Sequence, residues 1–104
     1  MEMKTIFKAS FDIREARNLT FKICKDYELA VRASYGLTPW GKKNLAGVNI
    51  LINNTDSKRC EYERHCVSSS NFTIAPEMTR IYNISVELQD DYTVDLIVKR
   101  RYGN

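Results

Sequence analysis

This chain of 104 residues contains little of what usually carries catalysis. It has four glycines, two prolines and a single histidine, His65. It contains no glycine-rich phosphate-binding loop and no serine nucleophile elbow, so no motif dictates a particular chemistry. No apolar run approaches the roughly 20 residues that a membrane-spanning helix needs. These absences favour a protein that is not an enzyme and has no membrane span.

The chain also lacks a concentrated charge of one sign. It carries 16 Lys and Arg against 13 Asp and Glu, a formal net charge of +3, and its basic residues are scattered. A nucleic-acid-binding protein usually shows a basic stripe, so we expect no nucleic-acid partner. Hydrophobic residues at 43% and charged residues at 28% are ordinary for a folded protein. The length predicts a single domain over residues 1–104.

Apolar and polar residues alternate along much of the chain, as in Phe7, Ala9, Phe11 and Ile13. Successive residues of a strand point to opposite faces, so this alternation indicates sheets with one buried and one solvated side. The pattern predicts strands at residues 5–13, 19–24, 27–35, 48–53, 71–75, 80–88 and 92–100. Pro76 is expected to end the fifth strand. The sequence therefore predicts an all-β fold, an antiparallel β-sandwich of about seven short strands with little or no helix.

Residues 54–70 lack the alternation and are predicted to form a long polar loop. Cys60 and Cys66 bracket part of it, and we expect a disulfide that closes this loop. The closed loop would present three side chains for binding, Tyr62, Arg64 and His65. A purely structural disulfide is the alternative. Cys24 is the third cysteine, and the sequence leaves open whether it is buried, pairs with a loop cysteine or links two chains.

Four asparagines occupy the Asn-x-Ser/Thr pattern of glycan acceptors: Asn18, Asn53, Asn71 and Asn83. The same pattern suits the ends of strands, so coincidence in a strand-rich sequence is the alternative. Together with the expected disulfide, these sites favour a secreted or extracellular glycoprotein. The first residues lack the apolar stretch of a secretory leader, so a secreted origin implies that a leader was removed. A cytoplasmic location is the alternative.

The only segment rich in glycine and proline, residues 36–44, is predicted to be a loop. It contains Trp40, Lys42 and Lys43 and follows Tyr35. A solvent-exposed tryptophan with tyrosine and cationic neighbours is typical of an interaction hot spot. The alternative is that Trp40 covers an open end of the sandwich as a plug.

The sequence offers few candidate catalytic or metal-binding groups. His65 could form a nucleophile pair with Cys60 or Cys66. Neighbouring residues of one loop, however, rarely converge in the geometry that such a pair needs. A zinc site from these three residues and Cys24 lacks the usual ligand spacing. We therefore expect no catalytic residues, no metal and no cofactor.

Several residues occur in an order similar to that of the pre-peptidase C-terminal β-sandwich domains of secreted bacterial proteases. They are Phe11, residues 29–32, residues 35–39 and Cys60, followed by a closing hairpin rich in tyrosine. The chain lacks the Gly-Asp-Ala-Asp turn of those domains, and the similarity covers scattered positions only. It assigns no family.

The function predicted from the sequence is a small secreted module that binds a protein, of the effector or host-interaction (virulence) type. One alternative is an accessory domain that binds carbohydrate or another ligand, with Trp40 and Tyr35 as a stacking platform. Another is an intracellular viral or regulatory protein with free thiols. The sequence leaves the partner and the oligomeric state open.

Overall fold

In the computed structural model the chain forms two antiparallel sheets of four strands each. The structure describes residues 2–15, 18–74 and 81–102, apart from the side chain of Lys43. The strands are β1 (Glu2–Asp12), β2 (Asn18–Lys22), β3 (Tyr27–Leu37), β4 (Lys43–Asn54), β5 (Cys60–Cys66), β6 (Ser70–Phe72), β7 (Tyr82–Leu88) and β8 (Thr93–Tyr102). Within these residues there is no helix, and hence none that is suited to crossing a membrane. The predicted antiparallel β-sandwich is confirmed, with eight strands in the described part of the chain.

The strands follow one another as a meander that is folded into two layers. One sheet has the order β1-β8-β7-β6 and the other has the order β2-β3-β4-β5. The chain passes from one sheet to the other between β1 and β2 and again between β5 and β6. We call these two places the β1/β2 seam and the β5/β6 seam. Neither seam carries strand pairing, so each leaves two edge strands.

The core lies between the sheets and follows the alternation. Residues of β3 and β4 such as Leu29, Val31 and Ile50 face inward, with the opposite wall supplied by β7 and β8. The most deeply buried strand residues are Leu29, Val31, Val48, Ile50, Ile52, Ile84, Val86, Val94, Leu96 and Val98. Each such side chain contributes roughly 1.5–3 kcal/mol by leaving water. Burial of this one face therefore fixes the register of the central strands.

Aromatic pairs close both seams where backbone hydrogen bonds do not. Phe7 of β1 stacks on Phe21 of β2, with ring centroids 3.6 Å apart. Tyr62 of β5 stacks on Phe72 of β6, with centroids 5.7 Å apart. Large flat side chains bury much apolar area at the sandwich edges, so packing holds the two layers together there.

Residues 54–70 are not the long loop that the sequence predicted, because β5 lies within them. This strand, Cys-Glu-Tyr-Glu-Arg-His-Cys, pairs with β4, with Tyr62 opposite Ile52 and Arg64 opposite Ile50. It is an edge strand, and charged residues are common on edges because they oppose aggregation. Its charged residues interrupt the alternation of apolar and polar residues from which the other strands were predicted.

The loop predicted at residues 36–44 is also shorter, because β3 extends to Leu37 and β4 begins at Lys43. The strand predicted at 71–75 is β6, which ends at Phe72. Its expected end at Pro76 and the predicted start of the next strand at residue 80 lie outside the described residues. The other predicted strand boundaries differ from those of the structure by a few residues.

Candidate functional site

The connection between β3 and β4 is a compact turn that is fixed by its own hydrogen bonds. The Gly41 amide donates to the Thr38 carbonyl at 2.9 Å, and the Thr38 amide donates to the Lys42 carbonyl at 2.8 Å. The Lys42 amide also donates to Oγ1 of Thr38 at 3.0 Å. Gly41 has a φ of +83°, a conformation that glycine adopts without strain. Pro39 restricts the turn further, so the tip of the hairpin is ordered before any partner binds.

Large apolar side chains on this hairpin are left in solvent. Trp40 is 73% exposed, Leu37 is 74% exposed and Tyr35 is 42% exposed. Trp40 therefore does not plug the open end of the sandwich. We call the surface formed by Tyr35, Leu37, Trp40 and Lys42 the Trp40 tip. The side chain of the fourth predicted binding residue of this loop, Lys43, lies outside the described part of the structure.

The exposure has a simple origin in the length of the hairpin. Exposure increases along the inward-facing side of β3. The exposed fraction is 0% at Leu29 and 1% at Val31, but 42% at Tyr35 and 74% at Leu37. The hairpin therefore continues past the end of the opposing sheet. Its apolar face continues with it and loses its cover.

The structure places the other predicted binding residues elsewhere. Tyr62 is half-buried against Phe72, and the guanidinium carbon of Arg64 lies 5.1 Å from the centroid of the same ring. Both belong to the β5/β6 seam and are not presented on a loop. His65 faces outward, and its Nδ1 lies 2.8 Å from Oδ1 of Asn49 on the neighbouring strand. The structure therefore does not gather these residues with the Trp40 tip.

The disulfide predicted between Cys60 and Cys66 is wrong, since both cysteines are free. They are the first and last residues of β5. At about 3.3 Å per residue a strand places them roughly 20 Å apart, whereas bridged α-carbons lie within about 7 Å. Cys66 is buried in the core and Cys60 is exposed.

Strand geometry also separates the candidate catalytic and metal-binding groups. His65 and Cys66 are adjacent in β5, so they point to opposite faces. Cys24 is free and half-buried near Tyr82. Within residues 2–15, 18–74 and 81–102, no three His, Cys, Asp or Glu side chains are grouped closely enough to hold a metal ion.

Three of the four glycan-acceptor asparagines, Asn18, Asn71 and Asn83, share one structural feature. Where the pattern falls within a strand, its middle residue packs in or against the core, as Leu19, Phe72 and Ile84 do. The asparagine then lies on the outer face, and Oδ1 of Asn71 accepts a hydrogen bond from the Ser85 hydroxyl. Strand alternation thus accounts for the pattern at Asn18, Asn71 and Asn83. Glycosylation at these sites and at Asn53 stays a prediction.

Sequence reasoning missed a charged cluster that fixes the passage from β1 to β2. Nη2 of Arg14 lies 2.7 Å from Oδ2 of Asp12, and its guanidinium carbon lies 4.8 Å from the centroid of the Tyr92 ring. Hydrogen bonds from Arg14 lower the pKa of Asp12 below its ordinary value. The Asp91 pKa is also lowered, chiefly by its hydrogen bond with Thr93. The cluster ties the end of β1 to the turn between β7 and β8.

A scan of the chain against protein-family models, a search of curated proteins and a search of solved structures found no match. The function of this chain is therefore inferred from the geometry of its exposed surfaces.

Proposed function

We propose that this chain is a non-enzymatic module that binds a protein partner through the Trp40 tip. The observation that carries the proposal is a tryptophan with 73% of its surface in solvent on a turn fixed by hydrogen bonds. The binding free energy of an interface is concentrated in a few residues, among which tryptophan is enriched. Truncating such a residue to alanine weakens binding by about 2 kcal/mol or more. An ordered turn also loses little conformational entropy when it binds.

The chemistry of the tip defines the kind of partner surface that fits it. Trp40 and Leu37 require an apolar pocket, and the exposed Lys42 beside them favours acidic residues at the pocket rim. We propose a partner with a hydrophobic cleft that is bordered by Asp or Glu.

The secreted, effector-type role remains part of this proposal. The four glycan-acceptor sites still support it. The predicted disulfide no longer does, because the cysteines are free. An intracellular protein is the second candidate, and the three free cysteines favour it, since free thiols are usual in reducing compartments.

The binding proposal is tested by capturing partners from host extract with the wild-type chain and Trp40→Ala. Met3→Ala is the matched control, because Met3 is an exposed apolar residue on β1, in the other sheet. Thermal unfolding verifies that each variant folds. We expect a specific partner to bind wild type and Met3→Ala and to be lost with Trp40→Ala. Equal capture by Trp40→Ala would refute the proposal.

Carbohydrate binding is separated by fluorescence. Trp40 is the only tryptophan, so intrinsic fluorescence reports on the tip alone. Titration with a panel of oligosaccharides should leave the emission unchanged. Saturable quenching by one of them would replace protein binding with carbohydrate binding as the function of the tip.

A further inference from the structure

A second candidate site lies on the outer face of the β2-β3-β4-β5 sheet, away from the Trp40 tip. A cavity of about 310 Å³ opens there between β3, β4 and the turn that joins β4 to β5. The side chains that matter for its chemistry are Glu28, Arg32, Leu51, Asn53, Lys58 and Cys60. Its volume is at the lower end of the range for pockets that hold small molecules.

Hydrogen bonds hold the wall of the cavity in place. The Thr55 amide donates to the Asp26 carbonyl at 2.8 Å, and the Thr55 hydroxyl donates to the Lys25 carbonyl at 3.1 Å. The Lys58 amide donates to the Asn54 carbonyl at 3.0 Å, and Lys58 has a φ of +62°. These bonds anchor the β4–β5 turn on the neighbouring β2–β3 turn, so the cavity is part of the folded structure.

The floor of the cavity contains an apolar side chain, Leu51, although it belongs to the outer face of a sheet. Leu51 and its register partner Ala30 point away from the core, yet they are only 9% and 4% exposed. Outward-facing side chains of a two-layer sandwich normally meet solvent. Here the surrounding side chains shield them, and of the two only Leu51 lines the cavity, as one apolar side chain among polar ones.

Charged side chains border this floor and have no partners in the described part of the chain. Arg32 and Lys58 are cations and Glu28 is an anion, and none of the three side chains makes an ion pair or a hydrogen bond there. The residues that line the cavity thus carry one net positive charge, and beyond them Glu63, a further carboxylate, lies opposite Leu51 on β5. Cationic side chains form charge-assisted hydrogen bonds with carboxylates.

We infer that this cavity binds a small molecule that carries a carboxylate on a short apolar body. The carboxylate contacts Arg32 and Lys58, the apolar body lies on Leu51, and Glu28 and Asn53 accept hydrogen bonds from any polar group at the other end.

Cys60 provides a built-in reporter, because its exposed thiol lines the same cavity. Iodoacetate and iodoacetamide alkylate a thiolate in the same way, forming a carbon–sulfur bond and releasing iodide, but only iodoacetate carries a carboxylate. The rate of each reaction at Cys60 is measured by mass spectrometry in the folded chain and in urea. We expect the ratio of the iodoacetate rate to the iodoacetamide rate to be about fivefold higher in the folded chain, from roughly 1 kcal/mol of attraction. Equal ratios would overturn the inference.

Variants show whether the cavity itself causes the preference. Arg32→Gln should lower the ratio towards its value in urea, and Glu28→Gln should raise it. Lys99→Gln is the matched control, since it removes one positive charge from the other sheet. A ratio that Arg32→Gln leaves unchanged, or that Lys99→Gln lowers equally, would show that the cavity does not recognise the carboxylate.

Binding without reaction is measured by protection. Isovalerate, a branched carboxylate of suitable size, should slow the alkylation of Cys60 by iodoacetamide in a saturable way. Its amide, which has the same shape without the charge, should not. Equal protection by both compounds, or by neither, would overturn the inference.

Discussion

The guanidinium of Arg64 covers the ring of Phe72 across the β5/β6 seam, 5.1 Å from the ring centroid. Arg64 lies opposite Ile50 on the inward-facing side of β5, but its head reaches solvent at the edge of the sandwich. Phe72 also stacks on Tyr62. An arginine and two aromatic rings therefore close a gap that no strand pairing closes.

Truncation of Phe72 should destabilise the fold strongly, whereas truncation of Arg64 should have a modest effect. Phe72→Ala removes a buried aromatic side chain, for which about 3 kcal/mol or more is expected. Arg64→Ala removes a solvent-exposed cation–π contact of about 0.5–1 kcal/mol. Urea denaturation of both single variants and the double variant measures these values. The double variant should lose less than the sum, because the contact is already absent in either single variant. Strict additivity would show that the contact contributes nothing, and Arg59→Ala serves as the exposed-arginine control.

Gly47 should be far less tolerant of alanine than Gly36, although both lie in the same hairpin. Gly47 has a φ of +148° beside an irregularity in the β3–β4 register, and a Cβ there would collide with the Cys66 carbonyl oxygen. Positive φ alone costs about 1–3 kcal/mol for a residue with a side chain. At Gly36 the nearest atom to such a Cβ is 3.9 Å away, an ordinary contact. Thermal denaturation should therefore separate Gly47→Ala from Gly36→Ala, and equal melting temperatures would contradict the structure at this site.

Alkaline pH should destabilise the protein partly through Tyr82. Burial raises the pKa of this phenol above its ordinary value of 10.0, and the neighbouring Cys24 raises it further. In the unfolded chain Tyr82 loses its proton first, so its contribution to stability is present below pH 10 and is lost as the pH rises through the folded-state pKa.

The test compares unfolding free energies at about pH 9 and about pH 11, on either side of the ordinary tyrosine pKa. Tyr82→Phe should lose less stability over this interval than wild type does. Tyr35→Phe alters an exposed phenol and should behave like wild type. If both variants track wild type throughout, Tyr82 is not protected from ionisation by the fold.

All three cysteines should react as thiols once the chain is unfolded without reductant. In the folded protein Cys60 should react first with an aromatic disulfide reagent, and the buried Cys66 should react most slowly. Counting the released thiolate by absorbance gives the total, and peptide mapping gives the order. A total of one would mean that two of the three cysteines are bridged, in conflict with three free thiols, and the peptide map would identify the pair.

The candidate sites were predictable only where local spacing determines geometry. The hairpin tip at Trp40 was found because a cluster of glycine and proline residues marks a turn. The exposure of Trp40 could not be predicted in this way, because it depends on how far β3 and β4 extend past the other sheet. The cavity bordered by Arg32 and Lys58 joins residues far apart in sequence, and no spacing pattern signals it.

Alternation of apolar and polar residues was enough to assign an all-β fold, most of its strands and the inward-facing core, because a strand repeats every two residues. It failed at β5, where an edge strand carries charges on both faces, and it therefore placed Cys60 and Cys66 on a loop. The strand order, the aromatic closure of both seams and the free state of the cysteines arise from contacts between distant segments. Their physical cause is the burial of two sheet faces against each other, which only the complete fold brings about.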